Sequence, residues 1–439
     1  MRMSVAVLAL AVAPDFAHAQ TFDTVNATIT SVHAAFKSGK LTCRALVQQY
    51  LDRIAAYDKA GPALNAVQNL NPRALAEADS LDAVLKAKKP MGALHCVPVL
   101  LKDQVETRDM PTTYGSALFT DFTPLRDATI VTRMKGAGAI ILAKTTMGEY
   151  ASRYVGSGSG IIRNAYDPLR NPSGSSGDTG SGVAASFGLV GIGEDTGGSI
   201  RGPAAVSSLV GLRPTLPLVS RFGMLPANPT QDTMGPMTRT VADAAALLDV
   251  IAGYDPKDPV TAYAVGNIPK SYATALRADA LQGARIGVLR SPSRDTTRRD
   301  STQRDSTQRD STQRDSTQRD STQRDSLVGY QQVRTVIDAA IEQLKALGAS
   351  VVDSVSLPRR DLGTAMGNDY ETEQATDAYF RDHPNAPVKT LKEILLSGKV
   401  NPWRARDDAA GGEDDERPRI SPRDAVTRGA ACVGAAVDG

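Results

Sequence analysis

Ser199 stands in the stretch "GEDTGGSIRG", residues 193–202, directly behind two glycines. Glycine lets the backbone bend tightly, so N–H groups can come close to whatever lies beside the serine. This arrangement suits an exposed serine nucleophile with its own oxyanion donors. It is also a common way to build an ordinary tight turn, and the decapeptide by itself favours that interpretation.

A serine hydroxyl becomes a strong nucleophile only when a base takes its proton. The four histidines, His18, His33, His95 and His383, stand in no recognisable catalytic setting, and the G-x-S-x-G pattern of α/β-hydrolases is absent. A buried lysine can replace histidine, because burial favours its neutral form. Lys102 ends the apolar run "CVPVLLK" and is the candidate base. The simpler alternative is a solvated lysine at the end of a strand.

The elements that must position these residues are predicted from hydrophobic periodicity. Helices are predicted at 42–57, in the first part of 128–143, at 240–253 and at 327–347, and strands at 96–102, in the second part of 128–143, at 284–290 and at 350–357. Thr42 and Thr240 are expected as N-caps, with Asp243 completing a capping box. The alternation of helices and strands indicates an α/β fold around a parallel or mixed sheet.

Four long segments, in order along the chain, resemble the amidase signature family of serine hydrolases. They are "VPVLLKDQVETRDMPTTYGS" (97–116), "NPSGSSGDTGSG" (171–182), "GEDTGGSIRGPAAVSSLVGLRPT" (193–215) and "DTMGPMTRTVADAAALLDVIAGYDPKDP" (232–259). The resemblance runs from about residue 30 to 290, and more weakly to about 400. It implies an α/β fold whose mixed central sheet is flanked by helices on both faces.

The resemblance also implies a Ser-cisSer-Lys triad that needs no cofactor or metal. By position, Ser199 is the nucleophile, Lys102 is the base, and Ser175 bridges them behind a cis peptide bond from Gly174. Neutral Lys102 would accept a proton from Ser175, which takes one from Ser199. Ser199 would then attack an amide carbonyl, and the backbone N–H groups of Thr196, Gly197, Gly198 and Ser199 would hold the oxyanion. Water would then hydrolyse the acyl-enzyme.

Residues around the implied triad have supporting roles or depart from the family pattern. Asp195 and Arg201 are expected to brace the nucleophile loop, and Ser176 is a further supporting residue. The family's serine loop is richer in glycine, and here Ser173 and Asp178 replace glycines. Ser173 is expected to fit if its φ is negative, whereas Asp178 places a charge near the site.

Composition and spacing argue against several other classes of protein. The net charge is +2, from 50 basic and 48 acidic residues, so no nucleic-acid partner is expected. The three cysteines, Cys43, Cys96 and Cys432, show no metal-binding or redox spacing, and their odd number argues against a disulfide scaffold. The segments "DTGS" (178–181) and "DTG" (195–197) mimic the aspartic protease signature, but they lie too close together to come from two lobes. No phosphate-binding G-x-x-x-x-G-K-[ST] motif is present.

Three regions are set apart from the predicted catalytic domain at 20–400, whose core is placed at 95–260. Residues 1–19 are typical of a secretory signal peptide, with cleavage after Ala19. The pentapeptide "STQRD" occurs five times from Ser301 to Asp325, and the insert at 296–326 is predicted to be disordered because it contains almost no apolar residues. Residues 401–439 lose hydrophobic periodicity and are interpreted as a disordered or aberrant tail.

The function expected from the sequence is a secreted or periplasmic amidase that acts on a small-molecule or peptide amide. No membrane span is expected, and neither the substrate nor the oligomeric state is specified. The first alternative is the glutamine-hydrolysing component of an amidotransferase, a member of the same family that releases ammonia from glutamine for transfer-RNA-dependent amidation. A second alternative is a truncated, inactive family member.

Overall fold

The computed structural model describes residues 22–289, 316–353, 355 and 371–402. These residues form two compact units. The larger contains residues 22–271 and 371–402, and the smaller contains the other described residues. The predicted signal peptide and nearly all of the predicted C-terminal tail lie outside the described residues.

A six-stranded sheet forms the centre of the larger unit, with strand order β1-β3-β2-β6-β8-β7. The strands of the larger unit are β1 (Val67–Leu70), β2 (Pro98–Lys102), β3 (Ile140–Thr145), β4 (Val155–Gly156), β5 (Gly160–Ile161), β6 (Val190–Asp195), β7 (Val210–Gly211) and β8 (Thr233–Thr238). The short β4 and β5 pair only with each other. Strands β3, β2 and β6 are parallel, while β1 and β8 join this core antiparallel and β7 joins β8 antiparallel. The predicted α/β class and mixed sheet are confirmed.

The three parallel strands are buried along their whole length, which explains why their sequences are largely continuous apolar runs. Because β2 lies between β3 and β6, its last residue, Lys102, is carried into the interior. The carboxyl ends of β2 and β6 lie side by side in this register, with Leu101 opposite Ile192. The residues that follow both strands therefore meet at one edge of the sheet.

Helices pack around this sheet, α5 on β2 and β6, and α7 on β8. The helices of the larger unit are α1 (Ile29–Lys37), α2 (Cys43–Tyr57), α3 (Ala74–Lys86), α4 (Thr129–Gly136), α5 (Gly177–Ala184), α6 (Arg201–Val206) and α7 (Val241–Ile251), with two later helices at Glu371–Arg381 and Leu391–Leu396. The predicted N-caps are confirmed, since Thr42 and Thr240 each accept the N–H three residues on. Asp243 does not complete the capping box, because its Oδ1 accepts the N–H of Ile29 instead.

The smaller unit contains two parallel strands, β9 (Arg285–Val288) and β10 (Ser350–Asp353), and one long helix, α8 (Ser316–Ala346). The strands predicted at 284–290 and 350–357 are therefore present, the second over a shorter span. Helix α8 begins before the predicted start at residue 327 and includes the last two "STQRD" copies. Once a helix is nucleated, each added residue gains one hydrogen bond, so polar repeats can continue it. Residues 296–315 of the predicted disordered insert lie outside the described residues.

A disulfide between Cys43 and Cys96 joins the start of α2 to the turn before β2, with 5.7 Å between the Cα atoms. The odd cysteine count had argued against a disulfide scaffold, and the structure corrects this for one pair. The two cysteines are 53 residues apart, a separation that gives no local signal in the sequence. Cys432 lies outside the described residues.

In the part of the chain that the structure describes, no helix has both the length and the apolar character needed to cross a membrane.

Candidate active site

Lys102 lies at the carboxyl end of β2 with no solvent exposure. Its Nζ donates to Ser175 Oγ at 2.7 Å and to Glu194 Oε2 at 2.8 Å, and it lies 3.4 Å from the Glu194 carbonyl oxygen. The alternative of a solvated lysine is therefore excluded. Lys102 Nζ is thus a buried amino group whose two closest partners are a serine hydroxyl and a carboxyl group.

The serine pair occupies the loop that leads into α5, and the predicted cis peptide bond between Gly174 and Ser175 is present. Both serines are buried, but they face different partners. Ser175 meets Lys102, whereas Ser176 Oγ donates to the Glu194 carbonyl oxygen at 3.1 Å and accepts the Glu194 N–H at 3.2 Å. Gly174 is required here, because a Cβ on it would lie 1.9 Å from the Arg153 carbonyl oxygen.

Ser199 lies in the loop after β6, half-buried, beside the serine pair. The N–H of Ser176 donates to the carbonyl oxygen of Ser199 at 3.2 Å. The structure therefore places the loop that carries Ser199 against the loop that carries Ser175. Gly198 has a φ of +133°, which only glycine adopts readily, and a Cβ on Gly197 or Gly198 would meet open space. The two glycines leave the approach to this loop unobstructed.

Three of the four predicted oxyanion donors are available in this loop. Among the described residues, the N–H groups of Thr196, Gly197 and Ser199 have no acceptor. The N–H of Gly198 instead donates to Asp195 Oδ1 at 2.7 Å, so it is not a free donor. Gly198 instead contributes the positive φ that the loop requires at this position.

Asp195 braces the loop as expected. Its carboxylate accepts hydrogen bonds from the backbone N–H groups of Gly198 and Ile200. It also accepts hydrogen bonds from Nε and Nη2 of Arg201, both at 3.1 Å, and it lies 3.2 Å from Arg213 Nε. Burial acts to raise the pKa of Asp195, but the hydrogen bonds from Arg201 and the backbone outweigh it and hold the pKa at about 2. Asp195 is therefore an ionised structural anchor.

The two departures from glycine in the serine loop have different consequences. Ser173 has a φ of +61°, so the condition on which serine was expected to fit, a negative φ, is not met. Asp178 is fully buried in the first turn of α5, where its Oδ2 accepts the hydroxyl of Thr145. Burial raises the pKa of Asp178 to about 7 against the opposing effects of Thr145 and Lys102. Asp178 therefore does place a titratable group near the lysine.

Sequence reasoning missed Glu194, which contacts Lys102 directly, and Asp232, which lies behind it. Both carboxyl groups are fully buried, and Thr196 Oγ1 lies 2.8 Å from Glu194 Oε1 and 2.6 Å from Asp232 Oδ1. A charged residue at the end of a buried strand, beside a lysine on the next strand, could have signalled Glu194. Asp232 gave no such signal, because its proximity depends on the antiparallel pairing of β6 with β8.

No protein ligand set for a metal ion is found in the described ranges, where no three His, Cys, Asp or Glu side chains are suitably grouped. The site thus consists of a buried lysine, a serine hydroxyl in contact with it, and a neighbouring serine on a loop with free amide donors. These features are those of an α/β protein with a serine-hydrolase type of site in which lysine stands where histidine is usual.

Comparison with known proteins assigns the chain to a family. Residues 45–318 match the family described as Amidase. A probable amidase of Arabidopsis thaliana is 33% identical over 85% of this chain and 68% of its own length. The A subunit of the glutamyl-tRNA(Gln) amidotransferase of Mycobacteroides abscessus is 37% identical over 76% of this chain and 62% of its own length. The chain belongs to the amidase signature family. It spans just over two thirds of the length of the plant relative and less than two thirds of the length of the bacterial one.

Solved structures agree with this assignment. The native peptide amidase from Stenotrophomonas maltophilia superposes with a TM-score of 0.77 and 33% identity, over 92% of this chain and 79% of that one. An amidase family protein from Bacillus anthracis str. Ames gives a TM-score of 0.75 and 31% identity, over 92% and 76%.

Proposed function

We propose that this protein hydrolyses the C–N bond of a linear carboxamide through an acyl-serine intermediate on Ser199. The observation that carries the proposal is the 2.7 Å hydrogen bond between Lys102 Nζ and Ser175 Oγ, both buried, beside the loop of Ser199. Membership in the amidase family and the likeness to a peptide amidase support an amide as the substrate.

The proposed reaction uses Lys102 as the base and Ser175 as the bridge. Neutral Lys102 accepts the Ser175 proton while Ser175 takes the proton of Ser199, whose oxygen attacks the amide carbon. The N–H groups of Thr196, Gly197 and Ser199 are the candidate donors to the oxyanion, and losing one such donor typically costs about 3 kcal/mol of barrier. The amine leaves with a proton returned from Ser175, and water then hydrolyses the ester.

We also propose that the protein is exported. The apolar segment and the cleavage pattern in residues 1–19 suggest a signal peptide. The Cys43–Cys96 disulfide supports export, because disulfides persist mainly in oxidising compartments.

The second candidate function is glutamine hydrolysis, as in the A-type component of a glutamyl-tRNA(Gln) amidotransferase. It is favoured by relatives of that name at 36–41% identity. Glutamine is itself a linear amide, so the same site would serve. Ammonia release from glutamine, compared with release from amidated peptides and simple aliphatic or aryl amides, separates the two candidates.

The test is the intact mass of the purified full chain after treatment with a fluorophosphonate, beside its Ser199→Ala variant. We expect one adduct on the wild type and none on Ser199→Ala. Ser80→Ala, which changes an exposed serine of α3, is the matched control and should be labelled like the wild type. An adduct that persists on Ser199→Ala overturns the assignment of the nucleophile. No adduct on any variant indicates the inactive family member.

A further inference from the structure

A chain of hydrogen bonds continues behind Lys102, away from the serines. Lys102 Nζ lies 2.8 Å from Glu194 Oε2, the other carboxyl oxygen of Glu194 lies 2.8 Å from Thr196 Oγ1, and Thr196 Oγ1 lies 2.6 Å from Asp232 Oδ1. The chain is thus unbroken from Ser175 to Asp232. None of the steps in the proposed reaction uses the part beyond Lys102.

The number of hydrogens in this chain is fixed by its geometry. Thr196 has a single hydroxyl hydrogen, yet its oxygen lies within hydrogen-bond distance of one oxygen from each of two carboxyl groups. If Glu194 and Asp232 were both ionised, one of these contacts would join two oxygens with no hydrogen between them. Both carboxyl groups are fully buried, where such a contact is costly. One carboxyl group must therefore carry a proton.

That proton resides on Asp232 at neutral pH. Burial and the neighbouring Glu194 raise the pKa of Asp232 to about 8. Asp232 Oδ2 accepts the N–H groups of Ala227 and Asn228, both at 2.8 Å, which leaves Oδ1 to carry the proton towards Thr196. Thr196 then donates to Glu194, which is the carboxylate that faces the Lys102 ammonium.

We propose that Asp232, Thr196 and Glu194 form a proton relay that controls whether Lys102 is an ammonium ion or a neutral base. Glu194 and Asp232 are accordingly positioning residues, which act through Lys102. This inference rests on the proposed function, because it assigns a purpose to the relay only if Lys102 is the base.

The relay changes state when Asp232 ionises. The O–H bond of Asp232 breaks and its proton goes to solvent, so the Thr196 hydroxyl turns to donate to Asp232. Lys102 gives one proton to Glu194 Oε2, where one N–H bond breaks as one O–H bond forms. A half-turn of the Glu194 carboxyl group then brings this O–H to face Thr196 and the other oxygen to face Lys102. Lys102 is left as an amine whose lone pair faces the Ser175 hydroxyl, and every contact again contains one hydrogen.

Other charged groups near the relay differ in their freedom to respond. Asp178 on α5 acts electrostatically on Lys102 and is itself titratable. Asp195, next to Glu194 on β6, is held ionised by Arg201 and Arg213. Arg221 acts electrostatically on Asp232, but it is paired with Asp258 and stays charged. Of these groups, Asp178 is the one whose titration would overlap with that of the relay, and an Asp178→Asn background removes the overlap.

The test measures kcat/KM against pH for the full chain in variants of the relay. In Asp232→Asn, the amide oxygen keeps the two backbone N–H groups and the amide nitrogen donates to Thr196, which fixes Glu194 as a carboxylate. The acid limb of the profile is the range in which kcat/KM rises with pH. We expect this limb to move to higher pH by at least about one unit, which lowers kcat/KM at pH 8 about tenfold. Glu194→Gln removes the carboxylate partner of Lys102 and should move the limb down. The double variant, Asp232→Asn with Glu194→Gln, should have the same pH profile as Glu194→Gln alone.

Two controls make the outcome specific. Asp243→Asn changes another buried carboxylate that accepts a backbone N–H and a threonine hydroxyl, here on α7 and outside the relay, and it should leave the limb unmoved. Thr196→Val removes the hydroxyl with little change in shape; it should lower the limb and abolish the effect of Asp232→Asn. This variant keeps the inference testable if Asp232→Asn does not fold.

The outcomes separate this inference from the proposed function. If the relay variants lower the maximum kcat/KM but leave the acid limb at the wild-type pH, Glu194, Thr196 and Asp232 have a structural role only. That result would overturn the relay. Movement of the limb by Asp243→Asn would do the same. Wild-type protein that a fluorophosphonate does not label on Ser199 would instead contradict the proposed function.

Discussion

The N–H of Ser176 donates to the carbonyl oxygen of Ser199, 3.2 Å away, while the Oγ of Ser176 bonds both backbone groups of Glu194. Ser176 therefore connects the loop of Ser175 to the loop of Ser199 and to the end of β6. Its neighbour Ser175 turns the other way, towards Lys102. The two adjacent serines thus have different roles: Ser176 stabilises the structure, and Ser175 takes part in the proposed chemistry.

Alanine substitutions should separate these duties. Ser175→Ala removes the bridge between base and nucleophile and should lower kcat by roughly 10²–10⁴-fold, the usual range for a positioned proton-transfer group, with little change in Tm. Ser176→Ala leaves the buried N–H and carbonyl of Glu194 without their hydroxyl partner and should cost roughly 1–3 kcal/mol of stability. Steady-state kinetics and thermal unfolding of both variants check this. Equal losses of kcat and Tm in the two would contradict it.

The brace at Asp195 should make the fold sensitive to acid. The pKa of Asp195 is about 2 in the folded protein and near 3.9 when unfolded, so the folded state favours the ionised form. Its contribution is fully present above about pH 4 and is lost as the pH falls towards 2, with a total of about 2 kcal/mol. Denaturant unfolding from pH 5 to pH 2 should show a steeper loss in wild type than in Asp195→Asn. Parallel curves would show that Arg201 does not stabilise the carboxylate.

The positive φ of Ser173 predicts a stabilising substitution. At a φ of +61°, an L-residue is strained by roughly 1–2 kcal/mol, and glycine is not. The N–H of Ser173 donates to Asn171 Oδ1, and glycine keeps that bond. Ser173→Gly should therefore raise the free energy of unfolding by up to about 1 kcal/mol, since the greater freedom of glycine in the unfolded chain offsets part of the gain. Ser80→Gly in the interior of α3 should do the opposite. A destabilised Ser173→Gly would refute the strain.

The sequence could predict the elements whose evidence is local or repeated along the chain. The apolar run before Lys102 indicated a buried strand, and the caps at Thr42 and Thr240 depend on side chains three residues from their partners. The four motifs identified the family and, through it, the cis bond at Ser175.

Features that depend on tertiary contacts were not predicted. The Cys43–Cys96 disulfide and the approach of Asp232 to Glu194 follow from how β2, β6 and β8 are arranged in the sheet. The engagement of the Gly198 N–H by Asp195 depends on the loop conformation after β6. The left-handed backbone at Ser173 could not be read from a serine, because serine seldom adopts it.

Asp178 should produce a pH dependence of opposite sign to that of Asp195, in a separate range. Its Oδ1 has no hydrogen-bond partner among the described residues, and burial raises its pKa to about 7, so the folded state favours the protonated form. The folded protein therefore loses stability as the pH rises from about 4 to 7, because a buried carboxylate must then form. The loss should total on the order of 2–4 kcal/mol relative to Asp178→Asn, which keeps the shape and cannot ionise. The measurement is the difference in unfolding free energy between the two proteins from pH 4 to pH 8. If this difference stays constant from pH 4 to pH 8, Asp178 is ionised throughout that range, beside Lys102. Asp195→Asn is the control, because its difference in unfolding free energy from wild type should change only below pH 4.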